Sequence, residues 1–152
     1  YVHIPWEEVL TMRTPLISCL LVAGLALAGC GGGQNTPEGA AQAFLEAVQK
    51  GDGEAVAKLY DYVAMARVAN PDWDSIPEGQ RGLIVKKVAE DQARALAAQI
   101  PQMQQIYQDA QTGNVIENGE TATVQLTGPG NPPPLNLVNR DGKWLLAGGK
   151  IE

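Results

Sequence analysis

Few side chains in this sequence could do covalent or acid–base chemistry. The 152 residues contain one histidine, His3, and two cysteines, Cys19 and Cys30. No cluster of histidine and cysteine that could hold zinc is present, and we expect no metal and no cofactor. Cys30 is the more informative of the two cysteines, because it follows small residues at the end of an apolar run.

The residues before Cys30 have the three regions of a secretory signal. Arg13 supplies a positive charge beside Met12, residues 15–28 are apolar or nearly so, and Ala28 and Gly29 are small. A basic start, a short apolar run and a small-residue end are typical of signal peptides. The run is about 14 residues long, whereas a transmembrane helix needs roughly 20.

The tetrapeptide Leu27-Ala28-Gly29-Cys30 resembles the lipobox of bacterial lipoproteins. The resemblance implies that a signal peptidase recognises Leu27, Ala28 and Gly29 and cuts before Cys30, whose thiol carries lipid. Two or three acyl chains, such as palmitate, would anchor the protein stably, since a single chain binds a membrane only marginally. We therefore expect a lipid-anchored protein on the extracytoplasmic side of the bacterial cell envelope. Position 31 is not Asp, which favours the outer membrane if a second membrane exists.

Four segments follow from this interpretation. Residues 1–11 have Glu7 and Glu8 where a signal needs positive charge, so they are interpreted as an upstream extension. Residues 12–29 are the signal peptide, residues 30–35 are the lipidated cysteine with a flexible spacer, and residues 36–152 are one domain. Without Arg13, Glu7 and Glu8 the chain keeps 10 basic and 15 acidic residues. A mildly acidic domain is not expected to bind nucleic acid.

The domain begins with helical patterns. Thr36 is a candidate N-cap, Pro37 suits the first turn, and Gly51 is a typical stop. A second short helix is predicted from Asp52, with Val56, Leu59, Tyr60 and Val63 inward. A loop follows at 70–74. A third helix is then predicted from 77, with apolar positions that include Leu83, Ile84, Val88, Ala89, Leu96 and Ile100. Pro101 should kink or end it, and two further turns could follow to Ala110.

After Thr112 the apolar residues alternate, which predicts strands at 114–117, 121–126, 135–140 and 143–146. Asn118-Gly119 and Asp141-Gly142 are typical of tight hairpin turns, and residues 128–134 (GPGNPPP) separate the two hairpins. Helices first and an antiparallel meander last predict an α+β domain in which N-terminal helices pack on a curved sheet.

Residues 36–47 (TPEGAAQAFLEA), 50–52 (KGD), 118–124 (NGETATV) and 140–144 (RDGKW) resemble small lipoproteins of the family called domain of unknown function 4878. The resemblance covers about 37–152. It implies the cone-shaped nuclear-transport-factor-2-like fold, also called SnoaL-like or ketosteroid-isomerase-like. Its motifs are structural rather than catalytic.

A cone of this kind would offer a pocket, and Tyr60, Tyr62, Trp73 and Tyr107 are the candidates to line it. Relatives of this fold that are enzymes use an Asp base, often with a His or Tyr partner. Removal of the signal would leave no histidine, so Tyr60-Asp61-Tyr62 is the nearest Tyr/Asp pair. On a helix these neighbours diverge by about 100°, and we expect Tyr60 in the core and Asp61 in water. Trp73 is expected to pack a loop and Trp144 to anchor the sheet.

Three functions remain open, and no catalytic residue is assigned. The first is a membrane-anchored binding or assembly module for a small ligand or an envelope protein. The second is an isomerase- or cyclase-like enzyme that uses the cone pocket. The third is a structural envelope lipoprotein. The first is favoured because the fold offers a concave site while the usual catalytic residues are missing.

Overall fold

The computed structural model describes residues 33–148, in which four α-helices and one short 3-10 helix precede four strands. The elements in chain order are α1 (Pro37–Lys50), α2 (Gly53–Ala57), α3 (Tyr62–Ala69), the 3-10 turn Trp73–Ser75, α4 (Glu78–Tyr107), β1 (Gln111–Asn118), β2 (Thr121–Thr127), β3 (Leu135–Arg140) and β4 (Lys143–Leu146). The predicted α+β order of helices followed by an antiparallel sheet is confirmed.

Helix α1 begins and ends where its sequence signals predict. The side chain of Thr36 accepts a hydrogen bond from the backbone N–H of Gly39 at 3.0 Å, which satisfies one of the free donors of the first turn. At the other end Gly51 adopts φ 73°, a left-handed conformation that glycine reaches without a Cβ penalty. Phe44 and Val48 are buried on the same side of this helix.

The four strands form one sheet in the order β1-β2-β3-β4, with antiparallel neighbours throughout. The registers pair Val115 with Val124, Val124 with Leu135, and Leu137 with Leu146. Side chains alternate across a strand, so these residues share the face on which α1 packs. Val124 and Leu137 have no exposed surface, and burying an aliphatic side chain of this size contributes about 1.5–3 kcal/mol.

The segment between α2 and α3 extends this sheet by one residue. Tyr60 forms a parallel bridge with Leu146 of β4. The N–H of Leu146 donates to the carbonyl of Leu59, and the N–H of Asp61 donates to the carbonyl of Leu146. The first described turn also reaches β4, because the N–H of Trp144 donates to the carbonyl of Gln34. The helical half and the last strand are therefore joined by main-chain hydrogen bonds.

Several predicted details of the helices are wrong. Val63 is 50% exposed and Leu83 is 68% exposed, although both were predicted to face inward. Val63 follows the N-cap of a separate helix, α3, so its direction is not set by the pattern that starts at Asp52. Of the two outcomes predicted at Pro101, an end of the helix is excluded, because α4 continues through it to Tyr107, as the predicted further turns allow. Strand β1 begins at Gln111, three residues before the predicted start, and its pairing with β2 shifts between Thr112 and Val115.

The start of the connection 128–134 packs closely against the backbone of Asp109 and Ala110, between α4 and β1. Gly128 has φ 152°, and a Cβ atom built on it would lie 2.9 Å from the carbonyl oxygen of Asp109. No side chain fits at that distance, so glycine is required there by close approach as well as by conformation. Further along the connection, Pro134 lines a cleft together with residues from the C-terminal half of α4.

The predicted signal peptide, the predicted cleavage site at Leu27, Ala28 and Gly29, and the predicted lipidation site at Cys30 lie outside the described residues. Within residues 33–148, none of the helices combines the length and the apolar character that a membrane span would require.

Candidate functional site

A cleft lies between the C-terminal half of α4 and the edge of the sheet near Leu146. Its volume is about 430 Å³, within the range typical of small-molecule sites. One wall is formed by Gln92, Leu96, Gln99, Gln102, Met103, Ile106 and Tyr107; the rest by Phe44, Tyr60, Pro134, Leu135, Asn136, Leu146 and Ala147.

Helical periodicity explains why one wall comes from α4. Gln92, Leu96, Gln99, Met103 and Ile106 recur at intervals of three or four residues, so they form one stripe along the helix. Leu96 is 3% exposed and contributes to the floor, whereas Ile106 is 42% exposed at the outer end. Because the helix continues through Pro101, the stripe is not interrupted.

Two tyrosines face the cleft from opposite sides. Tyr107 packs edge-on against Phe44 of α1, with the ring centroids 5.2 Å apart and the planes at 84°, a geometry that aromatic pairs prefer. Tyr60 is held by its bridge to Leu146. Burial, and secondarily the nearby Tyr107 phenol, raise the pKa of Tyr60 above its usual value, and burial raises the pKa of Tyr107. Both hydroxyls are therefore protonated at neutral pH.

The four residues predicted to line a pocket divide into two pairs. Tyr60 and Tyr107 line the cleft, whereas Tyr62 and Trp73 are not among its lining residues. The hydroxyl of Tyr62 donates to the carbonyl of Ala57, which ties the start of α3 to α2. Trp73 is 4% exposed, and the guanidinium carbon of Arg81 lies 5.8 Å from its ring centroid. This cation–π contact holds the loop before α4.

Asp61 was expected in water, and this expectation is wrong because Asp61 is only 2% exposed. Tyr60 lies in the extended bridge rather than in a helix, so the two side chains point to opposite sides as they would in a strand. Oδ1 of Asp61 accepts from the backbone N–H of Ala64 at 2.9 Å, and Oδ2 accepts from Nε of Arg140 at 2.8 Å. Both oxygens have structural partners, and Asp61 is not among the cleft's lining residues.

The side chains that line the cleft include no carboxylate, amine, imidazole or thiol. A general base near neutral pH requires such a group, and protonated tyrosines with raised pKa values do not supply one. Elsewhere in residues 33–148, no three His, Cys, Asp or Glu side chains come together as a possible metal site. The lining of the cleft sets hydrogen-bonding groups among apolar ones.

Sequence reasoning missed the three glutamines of the cleft, Gln92, Gln99 and Gln102. A signal for two of them was present, because residues 95–108 (ALAAQIPQMQQIYQ) contain five glutamines and no charged residue. Exposed helix faces usually carry charge. A charge-free, amide-rich stretch on a long helix was therefore a reason to single these residues out.

Comparison with known proteins adds little to this geometry. No family model and no curated protein matches the sequence. The chain is similar to a solved structure from Campylobacter jejuni described as an "NTF2-like transpeptidase", at 19% identity and a TM-score of 0.40, over 74% of this chain and 97% of that one. A similarity at this TM-score carries no argument about function, and the α+β architecture stands on the elements of this chain.

Proposed function

We propose that this protein is a lipid-anchored binding module of the bacterial cell envelope, whose cleft takes an uncharged small ligand. The observation that carries the binding role is the cleft between α4 and the sheet, whose lining residues are all uncharged. Its two tyrosines keep their protons at neutral pH because burial raises their pKa values.

The anchor is supported by the sequence alone. A basic residue, a short apolar run and Leu27-Ala28-Gly29-Cys30 stand in the order of a lipoprotein signal. The spacer of about six residues would span on the order of 13 Å by coil statistics. The domain would thus stay close to the membrane surface. We also propose that it belongs to the family called domain of unknown function 4878, with a nuclear-transport-factor-2-like fold. This proposal is supported by the motifs at 36–47, 50–52, 118–124 and 140–144.

Binding in the cleft can be tested with a set of uncharged, water-soluble fragments and the full-length chain in detergent micelles. Ligand-observed nuclear magnetic resonance would report which fragments bind. The Gln99→Trp variant places a large ring in the cleft, whereas Ala98→Trp places the same ring on an exposed neighbouring position outside it. We expect fragments to bind the wild type and Ala98→Trp and to lose binding in Gln99→Trp.

Two results would contradict the proposal. One is that no fragment binds the wild type. The other is that the fragments bind Gln99→Trp as well as they bind Ala98→Trp, because the binding site would then lie elsewhere. Circular dichroism of both variants would show that each one is folded.

A further inference from the structure

The charges of this chain are unevenly distributed. Helix α4 carries seven charged residues between Glu78 and Arg94 and none from 95 to 107. The sequence contains no lysine or arginine from residue 95 to residue 139, a stretch that includes β1, β2, all of β3 except Arg140, and every α4 residue of the cleft wall except Gln92. An anionic ligand would therefore find no cation among the residues that line the cleft.

The cleft offers groups that both donate and accept hydrogen bonds. Each glutamine carboxamide has two N–H donors and an oxygen acceptor, and each tyrosine hydroxyl donates and accepts. Gln49 and Gln104, which lie outside the cleft, donate hydrogen bonds from Nε2 to main-chain carbonyls. Among residues 33–148, the side chains of the cleft residues Gln92, Gln99 and Gln102 have no such partner. Their amides are free to bind a ligand.

These groups select the chemistry of the ligand. An anion or a cation would lose its hydration without gaining an opposite charge, which is costly. A wholly apolar ligand would cover the free amides and leave them without hydrogen bonds, which is also unfavourable. A neutral ligand rich in hydroxyl and amide groups satisfies both conditions. Its apolar faces would pack on the rings of Tyr60 and Tyr107 and on Leu96 and Met103.

The shape and the backbone of the cleft favour a glycan over an extended peptide. The stripe from Gln92 to Ile106 is 14 residues long, which corresponds to about 21 Å along α4 at 1.5 Å per residue, so the ligand is elongated. A peptide strand would need a free sheet edge. On the facing wall β3 is already paired on both sides, by β2 and β4, and Pro132, Pro133 and Pro134 before it have no N–H to donate.

We infer that the cleft between α4 and the start of β3 is a binding site for a neutral oligosaccharide, recognised by Gln92, Gln99 and Gln102 and by the Tyr60 and Tyr107 hydroxyls. This inference rests on the proposed binding function and specifies its ligand class. Recognition is through side chains only, so removing one amide or hydroxyl should weaken binding without abolishing it.

The test is isothermal titration of the full-length chain in detergent micelles with three probes. The probes are an N-acetylated β-1,4-glucosamine tetrasaccharide, the cationic deacetylated form of the same tetrasaccharide, and a neutral tetrapeptide with blocked ends. We expect the acetylated sugar to bind, with an affinity insensitive to added sodium chloride, and the other two probes to bind at least tenfold more weakly. Gln99→Ala and Tyr60→Phe should each weaken the sugar about fivefold to tenfold, the usual effect of losing one hydrogen bond.

Gln105→Ala is the matched control, because Gln105 is an exposed glutamine on α4 outside the cleft lining. Its sugar affinity should equal that of the wild type. The inference is overturned if the cationic sugar or the peptide binds as tightly as the acetylated sugar, or if Gln105→Ala weakens the sugar as much as Gln99→Ala. If uncharged fragments bind the cleft but the acetylated sugar does not, the glycan inference fails and the binding function stands. If neither binds, both fail.

Discussion

The ion pair between the buried Asp61 and the half-exposed Arg140 should stabilise the fold, and the loss of either partner should have a different cost. Oδ2 of Asp61 and Nε of Arg140 are 2.8 Å apart, and the two side chains are 2% and 49% exposed. At an effective dielectric constant of about 20, opposite charges at this distance attract by about 6 kcal/mol. The desolvation of Asp61 and the solvent around Arg140 offset most of this. We expect a net coupling of about 1.5–3 kcal/mol, the range for hydrogen bonds to charged groups.

The two single substitutions should differ. Arg140→Met leaves a buried carboxylate without its charged partner, so we expect a loss of about 3 kcal/mol in the free energy of unfolding. Asp61→Asn keeps an oxygen to cap α3 through Ala64 and leaves a half-exposed guanidinium that water can solvate, so we expect a loss of about 1.5 kcal/mol.

Urea unfolding of the wild type, both single variants and the double variant would complete a double-mutant cycle. Lys143→Met is the control: it removes an exposed cation from the same hairpin and should change stability by less than about 0.5 kcal/mol. A coupling energy below about 0.5 kcal/mol, or a larger loss for Asp61→Asn than for Arg140→Met, would refute the reasoning from burial.

Three further predictions concern other parts of the chain. Gly128→Ala should lower the free energy of unfolding by about 2 kcal/mol more than Gly130→Ala in urea titrations, because a Cβ at 128 would meet the Asp109 carbonyl at 2.9 Å while nothing lies within 4 Å at 130; equal losses would contradict the close approach. Tyr60 and Tyr107 have raised pKa values in the fold, so their contribution to stability should be complete below about pH 10, the unfolded value, and lost as the pH rises through the higher folded value. Urea midpoints measured from pH 9 to 11 should therefore fall less for the double variant Tyr60→Phe/Tyr107→Phe than for the wild type, and parallel curves would count against burial of these phenols. Cys30→Ser should abolish incorporation of an alkyne-labelled fatty acid in cells, whereas Cys19→Ser should leave labelled mature protein; label retained in Cys30→Ser would exclude Cys30 as the lipid site.

The sequence was sufficient for elements with strong local signals. The cap at Thr36, the stop at Gly51 and the two hairpin turns depend on residues within four positions of one another, and each is where it was predicted. The four strands also follow from alternation, because one face of the sheet is buried against α1.

Long-range contacts explain what the sequence did not reveal. Asp61 is buried because Arg140, 79 residues later, accompanies it, and Tyr60 leaves the helical pattern because Leu146 bonds to its neighbours. No local periodicity carries that information. The cleft glutamines were missed for a different reason. Their role depends on which side of α4 faces the sheet, and glutamines are also common on helix faces exposed to solvent.

The bonds that join Gln34 to Trp144 and residues 59–61 to Leu146 have a consequence for how the chain reaches its folded state. The bond between Trp144 and Gln34 closes a loop of about 110 residues and those to Leu146 close loops of about 86 residues, and contacts so distant in sequence slow folding. A chain that has not yet produced β4 already has β1 and β2, on which α1 packs, but it lacks this closure. The last step of folding therefore waits for β4, so the complete fold forms only once nearly the whole chain has been synthesised.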